Sequence, residues 1–145
     1  MNDDDPGSSH RILLDDRQDL PVDRDRLEDL ARETLDAEGQ THVELSVSLV
    51  DREEMADLHE RYLGEPGPTD VLSFPQDDPP ARESIRMLGD VVICPAVAAE
   101  QPGGESEVRL LLVHGILHLL GYDHQTEEAR AEMWARQERY SGVKL

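Results

Sequence analysis

The segment 105–124 constrains the fold of this chain more than any other, because a very apolar predicted helix ends there in a group of histidines. Apolar side chains cover almost the whole circumference of the helix predicted over 105–120. They are Leu110, Leu111, Leu112, Val113, Ile116, Leu117, Leu119 and Leu120. Such a helix needs neighbours on most sides, so the segment predicts a buried central helix around which the rest of the chain packs.

Half of the six histidines fall in this segment, with the spacing H-x3-H-x5-H. His114 and His118 are four residues apart, so both side chains project from one face of a helix, one turn apart. Gly121 can adopt the left-handed conformation that ends a helix, and the turn can bring His124 back towards the other two. Three neutral imidazoles are a ligand set suited to zinc, with one coordination position left open. The sequence therefore predicts one Zn²⁺ site per chain.

The remaining segments predict an α+β fold, in which a small mixed sheet of about four strands packs against the ligand-bearing helix. Residues 42–50 alternate between apolar and polar side chains, which indicates a half-buried strand. Further strands are predicted at 12–14, 71–74 and 87–93, and four to five helices are predicted at 23–38, 51–63, from 95, 105–120 and from 126. Residues 1–9 are predicted to be a disordered acidic tail, 76–84 an exposed loop, and 10–145 a single domain.

Capping residues and apolar faces support the helices. Asp51 followed by Glu54 resembles a capping box, and Thr126 is a favourable N-cap for the last helix. The predicted inner face of the second helix consists of Met55, Leu58 and Tyr62. That of the last helix consists of Ala129, Met133, Tyr140 and the stem of Arg136, with Trp134 beside it.

Composition limits the class of protein. No apolar run approaches the length of a membrane span, and the acidic first residues differ from a secretory signal, so we expect a cytoplasmic protein without a membrane partner. The single cysteine, Cys94, excludes an intramolecular disulfide and a cysteine zinc cluster, and it is predicted to be a small core residue.

The formal net charge of −19 opposes binding to nucleic acid at ordinary ionic strength. Because the acidic residues are spread along the chain, we interpret them as a solvated surface adapted to high salt, where screening removes self-repulsion. Loss of stability at low salt would support this hypothesis, and equal stability at low and high salt would contradict it.

The histidine spacing also occurs in the metzincin peptidases, whose motif is H-E-x-x-H-x-x-G-x-x-H. Those enzymes carry a general-base glutamate after the first histidine, where this chain has Gly115. A peptidase needs that carboxylate to take a proton from the attacking water. Its absence argues against peptide hydrolysis, although a metal held here could still polarise a phosphoryl oxygen.

Three segments together resemble the YbeY family, the bacterial endoribonucleases of rRNA maturation and ribosome quality control. They are residues 68–75 (PTDVLSFP), 88–93 (LGDVVI) and 114–124 (HGILHLLGYDH). They occur in the family's order, and the likeness extends from about Val43 to the last helix. The resemblance implies a small α+β sandwich in which a sheet packs on the ligand helix.

The resemblance also implies zinc bound by His114, His118 and His124. The implied substrate is single-stranded RNA rather than DNA, notably the 3′ end of the small-subunit rRNA precursor, with the ribosome as partner. Many members carry an arginine shortly before the 68–75 segment, thought to contact phosphate, where this chain has Leu63. Either Arg61 takes that role, as the one catalytic candidate beyond the metal centre, or RNA is held differently.

Three residues are candidates for orienting a ligand or binding substrate. Asp70 has two open interpretations, a turn-capping side chain or an acceptor for a ligand histidine. Ser73 faces either the cleft or solvent. Asp123 is predicted to be a turn residue or ion-pair partner rather than the missing general base. The remaining histidines, at 10, 42 and 59, are isolated and predicted to lie outside the site.

Metal-assisted phosphodiester hydrolysis is the leading hypothesis, since a metal held here could orient the scissile phosphate and stabilise the charge of the transition state. A single strand is the expected substrate, because it enters a cleft more easily than a stiff duplex. No side chain is a convincing general base, so the metal's water or a substrate group must serve. Two alternatives stay open: a metallopeptidase-like hydrolase, and a ribosome-associated module with structural zinc. A structural zinc normally has four protein ligands, and apart from Asp123 no candidate for a fourth stands out nearby. The same ligands also accept nickel, copper or iron.

Overall fold

The computed structural model describes residues 10–76 and 85–143. Within them the strands are β1 (Arg11–Arg17), β2 (Val43–Val50), β3 (Val71–Pro75) and β4 (Arg86–Ile93). The helices are α1 (Arg24–Ala37), α2 (Arg52–Leu63), α3 (Pro95–Ala98), α4 (Glu105–Leu119) and α5 (Glu127–Ser141). The tail predicted for residues 1–9 and nearly all of the loop predicted for 76–84 lie outside the described residues.

The four strands form one mixed sheet in the order β1-β2-β4-β3. β1 pairs in parallel with β2, β2 pairs in parallel with β4, and β3 runs antiparallel to β4. The prediction of an α+β fold with about four strands and four to five helices is confirmed. β1 is longer than the three residues predicted, because its ladder with β2 continues to the pair Arg17 and Val50.

The sheet buries apolar side chains on both faces. The larger core joins alternate residues of β2 and β4 to α1, α4 and α5, and it includes Val47, Leu49 and Ile93. The intervening residues of the same strands point to the opposite face, where α2 covers a smaller core. That core consists of Val50, Met55, Leu72, Val92 and Cys94. The prediction that Cys94 is a core residue is confirmed, since it is fully buried.

α4 is the central helix of the larger core, as its sequence predicts. Leu112, Val113, Ile116 and Leu117 are fully buried, and the helix contacts α1, α3, α5, β3 and β4. Burial of each such side chain stabilises the fold by about 1.5–3 kcal/mol, so the position of α4 is strongly determined. None of the helices in the described ranges is long and apolar enough to cross a membrane.

Both predicted N-caps are confirmed. The side chain of Asp51 accepts a hydrogen bond from the backbone N–H of Glu54, and that of Thr126 accepts one from Ala129. α2 ends at Gly64, whose left-handed backbone stops the helix directly after Leu63.

The inner faces of α2 and α5 differ in part from the prediction. Met55 is buried and Leu58 half-buried, but Tyr62 is 58 % exposed, so its assignment to the inner face was wrong. In α5 the buried residues are Met133, Gln137 and Ser141, whereas Ala129, Arg136 and Tyr140 are half-buried and Trp134 is exposed. Tyr62 is exposed because the last turn of α2 extends past the end of the small core.

Candidate metal centre

α4 places His114 and His118 on one wall of an open cleft. Their ring centroids are 5.2 Å apart, as expected for residues one helical turn apart. His114 is half-buried and His118 is exposed, while the opposite side of the helix carries the buried Leu112 and Ile116. The burial of α4 therefore fixes the direction of both imidazoles.

A Schellman turn after α4 brings in the third histidine. The N–H of Gly121 donates to the carbonyl of His118, and the N–H of Tyr122 donates to that of Leu117, each at 3.0 Å. This pair of bonds requires a left-handed residue at position 121, and Gly121 has a φ of 105°. The reversed chain then carries His124 towards the helix end.

The structure brings the three histidines together. One nitrogen from each of His114, His118 and His124 lies within 4.8 Å of the others, and the ring centroids are 5.2–6.3 Å apart. Three imidazole nitrogens suit zinc and neighbouring transition metals. In the described part of the chain no cysteine, carboxylate or fourth histidine joins this group. The donor set therefore fits a metal that keeps an open coordination position.

Gln137 on α5 orients the first of these imidazoles, and the sequence did not point to it. The ring Nδ1–H of His114 donates to the side-chain oxygen of Gln137 at 2.5 Å, and Gln137 is 3 % exposed. An amide oxygen only accepts, so the bond places the proton on Nδ1 and leaves Nε2 free as a ligand. The available signal was a glutamine one turn after Met133 and one turn before Ser141, on the buried face of α5.

The environment of His118 favours its neutral, ligating form. Partial desolvation by the surrounding side chains lowers the pKa of His118 below its ordinary value of 6.5, and the charges of the neighbouring His114 and His124 lower it further. Asp123 opposes this shift but does not reverse it. Little proton displacement is therefore needed for this histidine to bind a metal at neutral pH.

The candidates Asp123 and Ser73 lie close to the histidines but in different roles. The carboxylate of Asp123 accepts a hydrogen bond from the N–H of Gln125 at 3.1 Å, which makes it a turn residue as expected. Ser73 lines the cleft together with His114 and His118, and its hydroxyl lies 3.5 Å from the carbonyl oxygen of Gly115. Ser73 is therefore the candidate that the structure places against the open site.

Asp70 and Arg61 lie outside the cleft wall. The backbone carbonyl of Asp70 accepts from the N–H of Cys94, and its carboxylate lies near the hydroxyl of Thr69. The guanidinium of Arg61 pairs with Asp57, one turn earlier in α2, at 2.7 Å. Neither residue is among those that line the cleft, and these contacts leave both interpretations of Asp70 open.

Gly115 is a glycine because α4 lies against β4 and β3 at this point. A Cβ atom on Gly115 would lie 2.7 and 3.0 Å from the two methyl carbons of Val91, and 3.2 Å from the hydroxyl oxygen of Ser73. Any side chain would therefore collide with the sheet. The position that carries glutamate in the peptidase motif cannot hold one here without displacing the helix.

A buried carboxylate holds the turn that carries His124. Glu38, at the end of α1, has a side chain that is 5 % exposed and accepts hydrogen bonds from the hydroxyls of Tyr122 (2.7 Å) and Tyr140. Arg136 pairs with the same carboxylate at 2.6 Å and lies over the ring of Tyr122, 5.0 Å from its centroid. Since Tyr122 is two residues before His124, this network ties the ligand turn to α1 and α5.

We expect Glu38→Gln to lower the free energy of unfolding by roughly 2–3 kcal/mol, because a buried charge partner of Arg136 is lost. The variant should also bind zinc more weakly, by about 10-fold or more, because the turn that carries His124 is no longer held in place. Urea denaturation and a zinc titration measure the two effects. Arg136 also pairs with Glu132, whose carboxylate is exposed. Glu132→Gln is therefore the control, and it should change neither the stability nor the zinc affinity.

The difference in free energy of unfolding between the wild type and Glu38→Gln should depend on pH, because folding shifts the pKa of two groups. Burial alone would raise the pKa of Glu38, but hydrogen bonds from Tyr140, Tyr122 and Arg136 together lower it below 4.5. The stability it contributes is thus present above pH 4.5 and is lost as the pH falls through the lower value. Burial, followed by the bond to Glu38, raises the pKa of Tyr122 to about 12, so its contribution is lost as the pH rises from 10.0 through that value. A wild-type to Glu38→Gln difference that stays constant across these ranges would contradict the assignment.

The cleft beside the histidines is open and mostly apolar. Its volume is about 370 Å³, and it is enclosed by the end of α2, by β3 and by α4. The lining residues are Tyr62, Leu63, Val71, Leu72, Ser73, Phe74, His114 and His118. A cleft of this size accommodates a small ligand or part of a larger one.

Two of the other three described histidines, His10 and His59, have contacts elsewhere in the fold. His10 is buried, accepts the N–H of Val43 on Nδ1 and donates from Nε2 to Asp36 at 2.9 Å. His59 bonds through Nδ1 to the carbonyl of Gly67 at 2.8 Å and thereby holds the loop before β3. Neither belongs to the three-histidine group.

Comparison with known proteins gives consistent matches over most of the chain. The profile of the endoribonuclease YbeY family matches residues 13–142. The endoribonuclease YbeY of Acidothermus cellulolyticus is 53 % identical, over 81 % of this chain and 81 % of its own. That of Thermobifida fusca is 55 % identical, over 81 % and 83 %.

A solved structure agrees with the sequence matches. The solution structure of TM1509 from Thermotoga maritima superposes with a TM-score of 0.57 at 28 % identity, covering 91 % of this chain and 86 % of that one. The family match and the identities near one half both extend over most of the chain. The chain belongs to the YbeY endoribonuclease family.

Proposed function

We propose that the protein is a zinc-dependent endoribonuclease that cleaves single-stranded RNA, with the 3′ end of the small-subunit rRNA precursor as its substrate. The observation that carries the proposal is the convergence of three imidazole nitrogens on the wall of an open cleft, in a chain of this family. The catalytic domain comprises residues 10–145, and a ribosomal substrate places the activity in the cytoplasm.

The donor set supports zinc as the metal. His114, His118 and His124 would hold the ion through neutral imidazole nitrogens, and Gln137 fixes the tautomer of the first. A bound zinc supplies positive charge that polarises a phosphoryl oxygen and stabilises the charge developing in the transition state. His114 and His118 line the cleft, so a phosphate group of a strand bound there would reach a metal held by these residues.

The chain's own residues bind and orient rather than move protons. Asp123, the carboxylate next to the histidines, is already bonded to a backbone N–H, and Gly115 leaves no room for the glutamate of peptidases. Ser73 lines the cleft and would donate a hydrogen bond to a substrate oxygen there. Its weak contact with the carbonyl of Gly115, at 3.5 Å, leaves the hydroxyl free to turn.

One experiment separates this proposal from its alternatives. The purified protein, its His114→Ala variant and a chelator-treated sample are incubated at high salt with single-stranded RNA, with duplex RNA and with casein. We expect the zinc-loaded protein to cleave the single strand, the other two samples to lose about 100-fold or more in rate, and casein to remain intact.

Other outcomes would overturn the proposal in distinct ways. RNA cleavage that survives His114→Ala would indicate a contaminating nuclease. Cleavage of casein would favour the metallopeptidase hypothesis. A protein that requires zinc to fold but cleaves neither substrate would be a ribosome-associated zinc module. A precursor fragment with the mature 3′ end, compared with a scrambled strand, tests the proposed rRNA substrate.

A further inference from the structure

The two most exposed large apolar side chains of the described residues are neighbours at the mouth of the cleft. Tyr62 is 58 % exposed and Leu63 is 55 % exposed, and both line the cleft that contains His114 and His118. Exposed apolar groups that adjoin a cleft mark binding surfaces more often than scattered single residues do. Aromatic side chains make up only 3 % of the chain, so an exposed tyrosine at this place is informative.

The tyrosine ring is held in a defined position. Its centroid lies 5.2 Å from that of Phe74 on β3, with the planes at 63°, an edge contact that is favourable between aromatic rings. Gly64 ends α2 two residues later, so the backbone of this last turn is fixed as well. An oriented ring with more than half of its surface exposed offers a flat apolar face to a ligand.

The charges around this face do not suit a phosphate group. None of the eight residues lining the cleft is an arginine, lysine or carboxylate. The nearest arginine in sequence, Arg61, is paired with Asp57. Tyr62 and Leu63 also belong to the last turn of α2, where the free carbonyl groups carry partial negative charge. The surroundings of Tyr62 therefore provide no attraction for an anionic group, whereas an uncharged planar ring can stack on the tyrosine.

We propose that Tyr62, supported by Phe74 and flanked by Leu63, stacks on one unpaired base of the RNA strand whose phosphate reaches the histidines. This inference rests on the proposed function and adds how the strand is held. Base stacking on an aromatic ring is sequence-tolerant, and it works in a protein of net charge −19 because it needs no attraction of phosphates. It also requires an unstacked base, so duplex RNA is excluded.

The test uses zinc-loaded protein and a fluorescent, cleavage-resistant 2′-O-methyl RNA hexamer. We expect Tyr62→Ala to raise the dissociation constant about 5- to 150-fold, the loss of one stacked base, and Tyr62→Phe to stay within about twofold of wild type. Trp134→Ala, which removes another exposed aromatic ring outside the cleft, is the matched control and should bind as wild type. Unchanged thermal midpoints show that the variants remain folded.

Hexamers with a single abasic site identify the partner of the ring. At one position of the hexamer, removal of the base should weaken binding to the wild-type protein by the same factor as the Tyr62→Ala substitution. The same hexamer should bind the Tyr62→Ala variant no more weakly than the intact hexamer does. The slope of log affinity against log salt should be the same for wild type and variant, since no phosphate contact is removed.

The outcomes keep the inference separate from the proposed function. If the wild type cleaves RNA and Tyr62→Ala binds as tightly as wild type, or if all abasic hexamers lose equally in both proteins, stacking by Tyr62 is refuted while the nuclease stands. A smaller salt slope in Tyr62→Ala would indicate a phosphate contact and also refute it. If the wild type does not cleave single-stranded RNA at all, the proposed function fails first.

Discussion

Replacing Gly115 by glutamate, which restores the peptidase motif, is expected to destabilise the protein by about 3 kcal/mol or more and to yield no peptidase. The new Cβ would lie 2.7 Å from a methyl carbon of Val91, and Val91 is itself fully buried. Overpacking a core costs about 1–3 kcal/mol, and the carboxylate would be placed against an apolar sheet, which costs more. Urea denaturation measures the loss.

Three further variants distinguish the effect of the steric collision from that of the added charge. Gly115→Ala gains about 1 kcal/mol of helix propensity, so any net loss reports the collision alone. In a Val91→Ala background, which removes both methyl carbons, Gly115→Ala should become neutral or stabilising. Ala131→Glu, at an exposed position of α5, adds the same charge without contact and should change stability by less than about 0.5 kcal/mol. Wild-type stability in Gly115→Glu would show that the helix can move away from the sheet.

This glycine illustrates which features of the site the sequence carries and which it does not. The convergence of the histidines follows from local geometry: helical spacing for His114 and His118, and a glycine turn before His124. The reason for Gly115 is a contact with Val91, which belongs to a strand that lies before α4 in the chain. The sequence shows that position 115 is a glycine, but the reason for the glycine appears only in the packing of α4 against the sheet.

The residues that orient the ligands were not predictable for the same reason. Glu38 reaches Tyr122 from 84 residues earlier, and Gln137 reaches His114 from 23 residues later. Nothing in the periodicity of α1 or α5 distinguishes these polar side chains from solvated ones. Periodicity predicts which side of a helix is buried, but it does not predict which residues of other elements contact that side. The prediction for Tyr62 was wrong for a different reason. Helical spacing assigned Tyr62 to the buried face of α2, but the small core ends one turn before this residue.

Loss of one metal ligand is the second large effect. We expect zinc at 100 times its dissociation constant to stabilise the wild-type protein by about 2.7 kcal/mol, which raises the thermal midpoint by roughly 5–11 °C. His118→Ala and His124→Ala should lose this shift, because removing a ligand weakens binding by more than the 10- to 100-fold that follows loss of a ligand's hydrogen-bond partner. His59→Ala, which removes a histidine outside the group, should keep it.

The midpoints without metal decide what kind of site this is. A structural zinc provides the folding energy itself, so its removal unfolds the domain. Here the three imidazoles lie at the edge of the cleft, while the core around α4 is closed by apolar side chains from α1, β2 and β4. We therefore expect the chelated wild type and His118→Ala to remain folded with cooperative transitions and nearly equal midpoints. Unfolding of either one would contradict the assignment of an open, catalytic metal centre.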